Sequence, residues 1–199
     1  MTKNATCIES VLPKIKTISA QFEKTAQDRL LAYKRFSVAF GFPDDNFLRF
    51  FQSEKKEKLL AEYDLLFRAS EIWLYTVEYM AENEFQRVNY LADISGFYRA
   101  FGLETDKERP DFLNVELEFM HFLIFKQMYA LSSNIGSPKE KAAICMDAQE
   151  KFFNTYLYPG AKKIAEKIIS QGEAGFYKRK AIEMLEFLEL EMKYIGKKK

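Results

Sequence analysis

The one histidine of the chain, His121, stands three residues after Glu118. A Glu-x-x-His spacing puts both side chains on one helix face, as carboxylate-bridged di-iron bundles use it. Such a site takes the motif twice with two further carboxylates, and a single histidine cannot complete it. The ordinary reading is a histidine packed or hydrogen-bonded between helices. A helical metal-binding protein or enzyme using Glu118 and His121 is the alternative. Glu116 and Glu118 are close in sequence, but positions i and i+2 of a helix point apart and form no acid/base couple. On a mostly buried helix both must be hydrogen-bonded or paired, with Arg109 or Arg99 as partners. Glu116, Glu118 and His121 are therefore expected to support structure. Cys145 shares a helix face with Phe152 and Tyr156, the place of an inert core thiol. The only other cysteine, Cys7, lies near the N-terminus, so no disulfide framework or zinc site is expected, and a reducing compartment is. No Gly-x-Ser-x-Gly, Walker-type or dinucleotide glycine loop occurs. The expectation is a protein with no catalytic residue, no metal and no cofactor.

The elements that position these residues read as helices. Ile15, Ile18, Phe22, Ala26, Leu30, Tyr33, Phe36 and Phe40 step by three and four along one face, and Gly41 and Pro43 end it. Short helices follow near Asp45–Phe51 and from Glu54 to Phe67. Ser70–Ala81 mixes β-branched and aromatic residues and reads either as an irregular connection or as a helical turn. Phe85, Val88, Leu91, Ala92, Ser95, Tyr98 and Phe101 form the next face, capped by Gly102. After a polar loop, Glu104–Arg109, Pro110 suits the first turn of a helix over 110–133 that is apolar almost all round, the mark of a central helix. Ser137-Pro138-Lys139-Glu140 is a capping box with proline at the first helical position. Its helix carries Ala142, Cys145, Gln149, Phe152 and Tyr156 on one face, and Pro159-Gly160 is expected to break it. A further helix runs to Gln171 before Gly172, and a last one spans Glu173–Ile195, stopped by Gly196. The expected fold is all-α: a single compact multi-helix bundle over residues 1–199 around a nearly all-apolar central helix, with 1–13 and 197–199 flexible.

Charge is close to balanced at +1, which nominates no nucleic acid as partner. The basic residues near the C-terminus (Lys178, Arg179, Lys180 and Lys197–Lys199) lack an aromatic interleave or helix-turn-helix signature and read as a solvated face. Between Glu62 and Glu118, however, 13 acidic residues face 5 basic ones, so the middle of the chain favours a basic partner. That stretch also carries Trp73, Tyr75, Tyr79, Tyr90, Phe97 and Tyr98, rings able to line a groove. The N-terminus lacks the apolar run of a signal peptide, and no window of about 18 residues is apolar enough to span a membrane. A cytoplasmic protein without membrane insertion is expected.

Residues Phe97–Leu123 read FYRAFGLETDKERPDFLNVELEFMHFL. This segment resembles the signature region of the TorD/DmsD/NarJ-type chaperones, which mature molybdoenzymes of the dimethyl-sulfoxide-reductase family. Phe97-Tyr98, Phe101-Gly102-Leu103, Glu108-Arg109-Pro110-Asp111, Leu113 and Glu116–Met120 match the family pattern. Glu62-Tyr63, Leu66-Phe67, Tyr75, Glu78-Tyr79 and Gly175-Phe176-Tyr177 are similar to other parts of it. Phe112 stands where the family has histidine, and Tyr156-Leu157 where it has histidine-leucine. The resemblance implies an all-α chaperone that binds an apo-molybdoenzyme catalytic subunit and its leader peptide, often twin-arginine. It would support cofactor insertion before export, as a monomer or domain-swapped dimer. The resemblance carries client recognition to Asp111 and its neighbours Glu108, Arg109, Pro110 and Phe112, and the rings and carboxylates of the acidic middle, Trp73, Tyr75, Glu78, Tyr79 and Tyr98, complete the expected client-binding region. The residues themselves agree, because an apolar leader preceded by basic residues needs a ring-lined groove beside carboxylates.

Overall fold

The computed structural model describes residues 26–52, 55–105, 108–133, 136–171 and 174–196. Cys7, the stretch 1–13, the helical positions Ile15, Ile18 and Phe22, the starts at Glu54 and Glu173, the stop at Gly172 and the Lys197–Lys199 tail lie outside them. The helices are α1 (Ala26–Ala39), α2 (Asp45–Phe50), α3 (Lys56–Phe67), α4 (Glu84–Ala100), α5 (Leu113–Ser132), α6 (Pro138–Phe152), α7 (Tyr158–Gln171) and α8 (Phe176–Gly196). A 3₁₀ turn occupies Thr76–Tyr79 and a π-turn Phe153–Leu157. The fold is all-α, and no strand occurs among the described residues. No described helix is long and apolar enough to cross a membrane.

Helix α5 lies between α1 and α6 and fills the centre as its composition requires. Leu113, Leu117, Met120, Leu123 and Ile124 are fully buried. Each such side chain stabilises the fold by about 2 kcal/mol. The apolar surplus is not all enclosed, for Phe125, Tyr129 and Leu131 are exposed and Val115, Phe122 and Met128 half-buried. The helix begins at Leu113, three residues later than Pro110 suggests. Asp111 lies in a turn closed by Phe112 N donating to Arg109 O at 3.2 Å, and Phe112 is extended; the bonds of Asp111 O and Leu113 N to the 74–76 segment keep both out of the helix.

A polar network ties the outer helices to this centre. Arg29 of α1 forks onto Glu191 of α8, with Nε at 3.0 and 2.9 Å from the two carboxylate oxygens and Nη2 in contact as well. Tyr33 donates to the same carboxylate at 3.1 Å. Arg29 Nη2 also donates to Gln149 of α6 at 2.9 Å, and Gln149 to Gln127 of α5 at 2.8 Å. Arg29, Gln149 and Glu191 are buried, so each needs the others to satisfy its polar atoms.

Local signals act largely as expected. Asn83 caps α4 by accepting from Gln86 N at 2.9 Å, and Gln86 Oε1 reciprocates at Glu82 N. Gly102, with φ +73°, closes α4 in a Schellman motif, Leu103 N donating to Tyr98 O at 2.9 Å and Gly102 N to Arg99 O at 3.0 Å. Two expectations fail locally. Ser137 precedes α6, but its φ and ψ of −95° and 83° are not those of an extended N-cap, and its side chain makes no capping bond. Of the expected face, Tyr98 is buried and Leu91 and Phe101 pack against the core, but Phe85, Val88 and Ala92 face solvent, and Ile94 is buried beside Tyr98. The reason is an aromatic cluster: Phe97 and Tyr98 meet Phe119, Phe152 and Tyr156 at centroid distances of 4.7 to 6.0 Å, which outweighs burial of the helix's first turns.

Pro159-Gly160 does not break the chain's helical course. The π-turn, with Tyr158 N donating to Phe153 O, absorbs the proline by restarting the α-helix at Tyr158. Pro159 then sits in a first turn, where a missing N–H costs nothing. Gly160 serves close packing: an added Cβ would lie 2.4 Å from Thr76 Cβ and 2.8 Å from its Cα. Gly160→Ala is accordingly expected to cost about 1–3 kcal/mol. Gly96→Ala on α4, where nothing lies within 4 Å of an added Cβ, should stabilise by about 0.5–1 kcal/mol. Urea unfolding of the two variants checks the contrast.

Candidate functional site

Beyond α3 the chain runs extended through Leu74 and Tyr75 and pairs with the start of α5. Thr76 N donates to Asp111 O at 3.0 Å, Leu113 N to Leu74 O at 2.8 Å, and Tyr75 and Phe112 form an isolated antiparallel bridge. Asp111 is fully buried at this junction. Its carboxylate accepts from Arg109 Nε at 2.9 Å and Nη2 at 2.8 Å, a two-pronged pairing, and from Val77 N at 3.3 Å. Arg109 Nη1 reaches Glu78 at 2.7 Å, and Arg87 of α4 meets the same oxygen at 2.8 Å. The guanidinium lies 4.4 Å over the Tyr75 ring, and that ring is 5.4 Å from Phe112. Burial works against the Arg109 charge, but the bonds to Asp111 and Glu78 outweigh it and raise its pKa. Tyr98 donates to Pro110 O at 2.7 Å and so ties α4 to the same junction.

Glu116, one turn into α5, is fully buried, and neither carboxylate oxygen has a hydrogen-bond partner. The Arg109 or Arg99 pairing expected from sequence is not made, because Arg109 is engaged by Asp111 and Glu78. Burial first, and the Asp111 charge second, push the Glu116 carboxyl well above its ordinary value of 4.5, only partly opposed by the nearby Thr76 hydroxyl. The junction thus sets Asp111, bonded by Arg109 and Val77 N, beside a carboxyl that burial disposes to hold its proton.

Next to the junction, a groove of about 900 Å³ opens between Leu103–Thr105 with Glu108 on one side and the first half of α5 on the other. Leu103, Val115, Phe119, Phe122 and Phe125 give it an apolar lining, with Tyr98 at one wall. Glu104 and Glu108 stand exposed at its edge. Glu118 and His121 also line it, but both are anchored to α1. Glu118 accepts from Lys34 Nζ at 2.7 and 2.8 Å and from Ser37 Oγ at 2.8 Å, and His121 Nδ1 lies 2.9 Å from Leu30 O. Glu118 therefore holds α1 rather than the 104–110 loop, while His121 is hydrogen-bonded between helices as expected. No group of three or more His, Cys, Asp or Glu residues that could hold a metal occurs among the described residues.

Of the residues singled out from sequence, Tyr75, Glu78, Arg109, Pro110, Asp111 and Phe112 come together in the junction, and Tyr98 and Glu108 stand between it and the groove. Trp73 and Tyr79 lie at its other side, with Trp73 N donating to Tyr79 Oη at 2.9 Å and Lys163 of α7 bonding Tyr79 O at 2.7 Å. Trp73 is about half exposed. Asp111 offers no exposed surface to a partner. Sequence reasoning missed the groove floor: Val115, Phe119, Phe122 and Phe125. The signal was present, since a helix apolar all round has more apolar faces than its neighbours cover. Lys34 and Ser37 as partners of Glu118 carried no local signal, being more than 80 residues away.

The family model of the nitrate reductase delta subunit matches residues 35–165, which include the junction and the groove. Among curated relatives, the perchlorate reductase assembly chaperone protein of Dechloromonas aromatica (strain RCB) is 34% identical over 88 residues. The shared stretch is 43% of this chain and 39% of that protein, so it spans well under half of the relative's length.

Two outcomes follow from the junction. Asp111→Ala leaves Val77 N–H buried without an acceptor and Arg109 without its fork, and should cost about 2–3 kcal/mol in urea unfolding. For Glu116, the folded protein keeps a proton that the unfolded chain releases near 4.5, so folding takes up a proton between that pH and the raised folded value. Stability from this group is full at low pH and falls as pH rises through that window. The stabilising effect of Glu116→Gln should therefore grow from pH 5 to pH 8 in thermal melts, and parallel profiles for variant and parent would contradict it.

Proposed function

The chain belongs to the nitrate reductase delta subunit family, whose members are assembly chaperones rather than enzymes, and from that premise we propose that it serves one redox enzyme as its dedicated chaperone. The client in this reading is the apo catalytic subunit of a molybdoenzyme of the dimethyl-sulfoxide-reductase family. The chaperone holds it in the cytoplasm while its cofactor is inserted and before it is exported. The chain contributes binding surface to that process and no chemistry of its own.

The observation that carries the proposal is the groove of Leu103, Val115, Phe119, Phe122 and Phe125 with Glu104 and Glu108 at its edge. A leader peptide joins a basic segment to an apolar one. Rings and aliphatic chains in the groove remove the apolar part from water, and the carboxylates orient the basic part and speed its arrival. The Arg109 junction fixes one wall, so Asp111 acts through Arg109 and the loop it holds. Trp73, Tyr75 and Phe112 extend the apolar surface along the junction.

Calorimetry with leader peptides of the host's molybdoenzymes tests the reading. Phe125→Glu and the paired change Glu104→Lys with Glu108→Lys should each weaken binding at least about tenfold, or about 1.4 kcal/mol. The charge reversal should also flatten the salt dependence, and Lys151→Glu on α6 should leave affinity unchanged. Unchanged affinity in the groove variants would remove the groove from the proposal. Failure to bind any such leader, together with recovery of no molybdoenzyme subunit in pull-downs, would remove the client.

A further inference from the structure

Helix α4 has two unlike faces. One is buried through Ile94 and Tyr98, as described. The other points to solvent and is apolar: Phe85 is 76% and Val88 55% exposed, and Ala92 is exposed further along the same face. Side chains are large in its first half and reduced to Ala92 and Gly96 in its second. An added Cβ at Gly96 meets nothing within 4 Å. A shallow concavity beside it reaches Ala100 and Tyr156. Charge is distributed with the same polarity, Glu84 lying at the start of the face and Arg99, which is exposed, near its end. The Glu84 contact with Arg87 is a long one, 3.5 Å, and Arg87 holds Glu78 more closely.

We propose that this face receives a second copy of the chain, α4 packing antiparallel on α4 across a two-fold axis at Ala92. In that arrangement position 88 opposes position 96 and position 85 opposes position 99. Val88 of each protomer enters the space beside the partner's Gly96. Phe85 meets the guanidinium of the partner's Arg99, a cation–π contact, and Glu84 approaches the same charge. A parallel arrangement would instead set Glu84 against its own copy and Arg99 against its own, so charge selects the antiparallel form. The surface is self-complementary, which is the condition for a closed two-fold dimer. One helix pair is a small interface, so the dimer is a weak one that forms in the micromolar range. None of Phe85, Val88, Ala92 and Gly96 lines the proposed client groove, so a dimer made this way leaves the groove open.

Sedimentation of the full chain from low micromolar to several hundred micromolar tests the proposal. A reversible monomer–dimer equilibrium is expected. Val88→Glu and Gly96→Leu should each weaken it at least about tenfold. Val88 is exposed and an added Cβ at Gly96 meets nothing within 4 Å, and circular dichroism verifies that the variants fold. In a Cys7→Ser background, Ala92→Cys sits on the axis and should form an intermolecular disulfide under mild oxidation, whereas Lys151→Cys on α6 should not. A chain that stays monomeric throughout, or a dimer that survives both α4 variants, overturns the proposal; the latter would show exchange of elements or another surface. Resistance of Ala92→Cys to alkylation in the monomer would show the face covered within the chain. Loss of leader binding by Val88→Glu in a chain that never dimerises would assign the face to the client. Either result also overturns it.

Discussion

Arg109 gripped between buried Asp111 and Glu78 is the constraint on which the rest of the site depends. A buried carboxylate is tolerable only where donors surround it, and Asp111 has three: two from Arg109 and one from Val77 N–H. Those bonds anchor the junction, where the backbone bonds to Leu74 and Thr76 keep 111–112 out of the helix and Phe112 lies against Tyr75. The first residue of α5, and hence the rotation of the whole helix, follows from that. Leu113 and Leu117 turn inward, while Val115, Phe119 and Phe122 reach the groove. The same enclosure acts on its neighbour. Burial first, and Asp111 second, hold the Glu116 carboxyl well above its ordinary value, so the two neighbouring acidic residues are not equivalent.

Those parts of the fold that rest on local rules were legible in the sequence. Gly102 ends α4 because a left-handed residue is needed there, and the apolar run after Pro110 does occupy the centre. Legibility failed where a distant partner decided the outcome. Periodicity alone allows α4 either of two faces, and the rings on α5 and α6 chose between them. Sequence proximity offers Arg109 or Arg99 as partners for Glu118, whereas the groups that hold it, Lys34 and Ser37, come from α1. Pro159-Gly160 carries the strongest breaking signal in the chain, yet its glycine answers to Thr76 crossing above it. The candidate site followed the same division. The junction residues cluster in sequence and in space, but the groove floor is defined by what fails to cover it.

Two kinds of attachment coexist around α5. On one side, Arg29, Gln127, Gln149 and Glu191 join four helices through buried polar bonds, which are directional and tolerate little displacement. On the other, α4 and the loop after it are held chiefly by ring contacts, the Gly102 turn and Tyr98 at Pro110. Apolar contacts lack direction and permit small adjustments at modest cost. The groove thus has one wall built on a rigid frame and another that can adjust its position. The segment matched by the family covers the adjustable wall and, of the frame, Gln127 and Gln149, while Arg29 and Glu191 lie beyond it.

The π-turn at Phe153–Leu157 has a consequence for the geometry of everything after it. A π-turn holds one residue more than the α-helical turn it replaces, and each helical residue advances the direction of side chains by about 100°. The surplus residue lets Phe152 and Tyr156 address α4 and α5 while Ile164 and Ile168 bury themselves further along the same rod. It acts as a phase shifter between two packing surfaces that one uninterrupted helix could not serve together. Among homologues, single-residue length changes inside this turn would re-aim α7 wholesale, whereas changes in the linkers between helices leave every facing intact. Alignment gaps are thus expected to accumulate in those linkers and to be rare at the π-turn.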